Sequence, residues 1–79
     1  MNIIPEYPTT DLILATVLKE NGNVLDKITT QGIKGIFYFL DVEKDFLVSY
    51  DTGKLLVEPV SFQNSLRSLT AAVRRQVQR

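Results

Sequence analysis

Neither cysteine nor histidine occurs among the 79 residues of this chain. The first absence excludes disulfides and thiolate metal sites, and the second removes the commonest general base and the commonest zinc ligand. Glycine is scarce, at 4 residues. Gly32 and Gly35 do not form the dense run, followed by a lysine at a helix start, that cradles phosphate. Oxygen ligands remain for a metal, but no EF-hand spacing is present. No segment approaches the roughly 20 apolar residues of a membrane span. Residues 1–8 carry neither the basic nor the apolar run of a signal peptide. These absences lead to the expectation of a cytoplasmic protein with no metal, cofactor, membrane or small-molecule substrate.

Acid is also missing from one whole end of the chain. All nine acidic residues fall between Glu6 and Glu58, where five lysines leave a net charge of −4. The remaining residues hold Arg67, Arg74, Arg75 and Arg79 with no acid, a net charge of +4. Every basic residue before Glu58 is lysine and every one after it is arginine, the cation suited to planar contact with phosphate or carboxylate. A formally neutral chain is therefore electrically two-ended.

What is present reads as one small α+β domain. With 44% apolar residues there is material for a single core, at a size where self-association often adds stability. Pro5 and Pro8 disfavour a ladder, so residues 1–8 are expected to form an arm and residues 9–79 the domain. Thr9 or Thr10 offers an N-cap, Asp11 suits the positive end of a helix dipole, and Leu14, Val17 and Leu18 share one helical face. Asn21-Gly22 closes that helix. Residues 24–40 read as a β-hairpin turning at Gln31-Gly32. Its second strand sets Ile36, Tyr38 and Leu40 on one face against Phe37 and Phe39 on the other. Asp41 is expected to cap a helix carrying Val42, Phe46 and Tyr50 and ending near Gly53, although alternation at Phe46, Val48 and Tyr50 also permits a strand. Residues 55–57 then form a third strand. Pro59 opens a last helix with an apolar stripe of Phe62, Leu66, Leu69, Val73 and Val77, opposite the four arginines. The expected order is α-β-β-α-β-α, a small antiparallel sheet packed against the first and last helices.

The order of these signals carries a resemblance. Thr10-Asp11-Leu12 leads into Leu14-Ala15, then come the hairpin, Gly53-Lys54-Leu55-Leu56-Val57-Glu58-Pro59, and Phe62-Gln63-Asn64-Ser65-Leu66-Arg67-Ser68-Leu69. Over residues 9–70 this resembles a small bacterial and phage family of unknown function. That family has a T/S-D-L-x-L-A opening, a hairpin, and a G-x-L-L-V-D-P-x-x-F-x-N-A-L-R-x-L close. Glu58 stands where the pattern favours aspartate. The resemblance implies a bacterial, phage or mobile-element origin and a helix near residues 42–50; it carries no activity and no site residue.

For function, Asp41, Glu43, Asp45 and Asp51 sit in turns or helix starts and read as caps rather than as acid–base pairs. Nothing supplies the nucleophile, base and orienter of covalent catalysis, and the chain is read as a non-enzyme. The segment Lys34-Gly35-Ile36-Phe37-Tyr38-Phe39 invites comparison with the base-stacking strand of RNA-recognition modules. Phe37 occupies a place where those modules want a small residue, and the expected order puts a helix first. Two kinds of partner are alternatives, the first preferred. One is nucleic acid or a nucleoprotein complex, met by Arg67, Arg74, Arg75 and Arg79. The other is a protein, including a second copy, met by Leu12 and Ile13 of the apolar first helix and by Phe37 and Phe39 of the aromatic strand.

Overall fold

A computed structural model describes residues 2–77 of the chain. Strand β1 (Ile3–Thr9) leads to helix α1 (Leu12–Glu20), strands β2 (Leu25–Gln31) and β3 (Lys34–Glu43), and helices α2 (Lys44–Asp51) and α3 (Pro59–Val77). The sheet order is β1-β3-β2, antiparallel at both junctions. The α+β class and the packing of the sheet against the first and last helices match the expectation from sequence.

The element order departs from that expectation at two places. The proline-bearing arm is strand β1, with Glu6 opposite Leu40, Tyr7 opposite Phe39 and Pro8 opposite Tyr38. An edge strand tolerates proline where its missing N–H would face away from the ladder. Residues 55–57 form no strand. Leu55 is half-buried beside the helices while Leu56 is 98% exposed, and the third strand of the sheet is β1 rather than this short apolar run. A strand therefore precedes the first helix, and the objection to the RNA-module comparison based on a leading helix falls away; the bulk of Phe37 remains.

Caps fix the helix ends. Thr9 Oγ1 accepts from the Asp11 N–H, and Asp11 is the α1 cap, its Oδ1 accepting from the N–H groups of Ile13 and Leu14 at 3.0 and 3.1 Å. At the other end the Asn23 N–H reaches Leu18 O and the Gly22 N–H reaches Lys19 O, with Gly22 at φ 93°. That pair of bonds is a Schellman closure. It recurs after α2, where Lys54 N–H reaches Ser49 O, Gly53 N–H reaches Tyr50 O and Gly53 has φ 71°. Asp41 does not cap α2. It lies within β3 at φ 53°, a left-handed conformation that aspartate tolerates better than most residues, and Val42 beside it is a fully buried part of β3 rather than of a helix. Asn23 ties the α1–β2 loop to this bend, its Nδ2 donating to the carbonyls of Leu40 and Asp41.

The core gathers Leu14, Ala15 and Leu18 of α1, Phe37, Phe39 and Val42 of β3, and Leu69 of α3. Of the α3 stripe Leu69 is buried at 2% exposure, Phe62, Leu66 and Val73 are half-buried, and Val77 is exposed. The helix rests chiefly along α1 and also touches β2. Its approach to the sheet depends on Gly35: a Cβ there would lie 2.5 Å from a Val73 methyl. No described helix is long and apolar enough to cross a membrane.

Candidate functional site

The cationic surface is built on α3. Glu58 precedes Pro59 and accepts from the N–H groups of Val60 and Ser61 through its two carboxylate oxygens, while its carbonyl accepts from Phe62 N–H at 2.9 Å. The longer side chain thus performs the cap for which the family pattern favours aspartate. Beyond it α3 runs for 19 residues without an acid. Arg67, Arg74 and Arg75 are all exposed and border one shallow groove of about 530 Å³. Leu66, Thr70 and Ala71 also line the groove, and Thr70 turns its hydroxyl to Leu66 O at 2.8 Å, leaving the guanidinium groups as its principal donors. Arg67 and Arg74 are about 10 Å apart along the axis, at about 1.5 Å per residue. Arg79, assigned to the same face from sequence, lies outside the described residues.

One further cation joins this end of the molecule. The β2–β3 turn lies against the C-terminal half of α3, and the two enclose a mainly apolar cleft of about 310 Å³. Leu12, Ile33, Phe37 and Val73 line it, with Lys34 and Arg74 also on its walls. Sequence spacing does not place Lys34 beside α3; the close approach of Val73 at Gly35 does. The signal available in the sequence was a glycine in an otherwise bulky strand, which often marks close approach of another element.

The four residues expected to face a protein partner divide. Phe37 and Phe39 are 2% and 0% exposed and belong to the core, so they are corrected from interface to packing residues. The reason is topological: β3 is the central strand and α1 covers that face. Leu12 is half-buried against the core, whereas Ile13 remains 45% exposed. On the opposite sheet face Lys27 Nζ lies 4.8 Å from the centre of the Tyr38 ring, and the Tyr38 hydroxyl is the acceptor for Thr29 Oγ1 at 3.4 Å.

The acidic end lies across α3 from the arginines' C-terminal cluster. Glu20, Glu58, Ser61 and the 55–57 segment border a groove of about 390 Å³. The hydroxyls of Ser61 and Ser65 hold the Glu20 carboxyl below the usual carboxylate range, Ser65 Oγ donating to Oε2 at 2.9 Å. Both contacts tie the end of α1 to α3. No cluster of three or more acidic ligands suited to a metal ion occurs among the described residues.

No known protein family, curated protein or solved structure matches this chain. The motifs behind the family resemblance prove here to be capping and packing chemistry: Asp11 and Glu58 at helix starts, Gly53 at a helix end, and Phe62, Leu66 and Leu69 on one stripe.

Proposed function

We propose that this protein is a non-enzymatic accessory binding protein of a phage, mobile element or bacterium, contacting nucleic acid or a nucleoprotein complex through α3. The observation that carries this reading is the acid-free helix itself, with Arg67, Arg74 and Arg75 exposed around one groove that Leu66, Thr70 and Ala71 also line. Such a surface can lie along a phosphate backbone, each neutralised phosphate releasing counterions. The test is a salt titration of affinity for duplex and single-stranded oligonucleotides. If the three arginines each engage a phosphate, log affinity falls against log salt with a slope of about −2 to −3. Replacing all three with glutamine keeps helix propensity and flattens the slope with the fold intact. Absence of binding by the parent at low salt overturns the reading, as does full retention of binding by the triple variant.

The second reading is a protein-interaction module or inhibitor. It is favoured by the 45% exposure of Ile13 on α1 and the 84% exposure of Ile33 beside the apolar cleft, since rimmed apolar surface marks contact sites.

A further inference from the structure

We propose that the cleft between the β2–β3 turn and α3 receives Leu56 of a second copy of this chain, in a reciprocal antiparallel pairing of two α3 helices. The inference does not rest on the nucleic-acid reading, although Arg74 borders both the cleft and the arginine groove. Leu56 is 98% exposed, so it contributes little to its own core, and its segment belongs to no ladder. An apolar side chain held fully in water on a short loop is suited to insertion in a partner's pocket. The cleft offers such a pocket, lined by Leu12, Ile33, Phe37 and Val73.

Charge selects the partner. Lys34 and Arg74 are the charged residues of the cleft wall, and both are positive. Leu56 lies with Glu20 and Glu58 along the acidic groove. Bringing one copy's Leu56 into the other's cleft therefore sets acid against base, which favours encounter and fixes orientation. Geometry closes the arrangement. Leu56 sits just before the start of α3 and the cleft near Val73, about 21 Å further along the helix axis. Two α3 helices related by a two-fold axis and running in opposite directions bring each loop to the other's cleft, with both exchanges made at once. A two-fold contact of this kind ends at a dimer rather than a filament.

The experiment is sedimentation equilibrium of the full chain without nucleic acid, over concentrations up to about 100 µM, where mass action favours the pair. The parent should approach twice its 8.9 kDa mass. Leu56→Ser and Ile33→Ser remove the insert and alter the cleft mouth at two exposed positions without adding charge, so the thermal transition of the dilute protein should be kept. Each should weaken self-association by about ten-fold or more. Arg74→Glu should weaken it as well, and raised salt should weaken the parent. A parent that stays at 8.9 kDa throughout overturns the proposal. So does a Leu56→Ser variant that dimerises as the parent does, which would place the interface elsewhere.

Discussion

At the residue scale Asp11 joins two parts of the fold that the chain separates by 39 positions. Its Oδ1 caps α1, while its Oδ2 accepts from the Tyr50 hydroxyl at 3.1 Å. Burial, and then this carboxylate, push the Tyr50 phenol above its ordinary value. A raised value means that the contribution of the neutral phenol is complete below the unfolded value of about 10. It is lost as pH rises through the folded value, on the alkaline side. Asp11→Asn keeps a capping oxygen and removes the charge, so the Tyr50 titration, followed by NMR of its ring, should move part of the way back, burial being the larger cause. Asp11→Ala should lose the cap as well and cost about 0.5–2 kcal/mol in denaturant unfolding. A Tyr50 titration unchanged in both variants would mean that the contact is absent in solution.

At the element scale the seating of α3 on the sheet depends on what Gly35 lacks. Valine is stiff at χ1, so Val73 has little freedom to move from an added Cβ. Gly35→Ala should cost about 1–3 kcal/mol by overpacking. Because the clash is with one side chain, Val73→Ala in the Gly35→Ala background should recover part of that loss, and a double-mutant cycle measures the coupling. Additive effects would show that α3 does not sit on Gly35. The same contact sets Lys34 beside Arg74, so the makeup of the cationic end depends on a packing detail in the sheet.

At the scale of the whole molecule there is one core, and Leu69 lies where α1, α3 and the sheet meet. Leu69→Ala removes buried methyl groups from all three layers and should cost about 2–5 kcal/mol. In a domain of this size that is a large part of total stability, so most of the chain should unfold near room temperature in a single transition. An unchanged melting temperature would remove Leu69 from the core. Charge is organised at the same scale: Glu20 and Glu58 lie where α1 ends and α3 begins, and Arg74 and Arg75 lie at the far end of α3, where they also complement its dipole. Both proposals draw on this separation, one through phosphate and the other through a second copy.

Features that depend on near neighbours in the chain follow from local spacing. The Asn21-Gly22 and Gly53 helix ends, proline at the start of the last helix, its apolar stripe and its acid-free arginine face all follow from spacings of a few residues, and each was legible. So was the α+β class, because periodicity changes within short windows. Only the tertiary structure decided which segments pair and which faces are covered. Pro5 and Pro8 read locally as strand breakers, yet an edge position leaves room for them; residues 55–57 read locally as a strand, yet find no partner. Phe37 and Phe39 became core rather than interface because β1 and β2 flank β3 and α1 lies over it. Lys34 joined the arginines because a missing side chain at Gly35 lets Val73 approach. Pairing and coverage are set by long-range competition for buried surface, which local propensity does not encode.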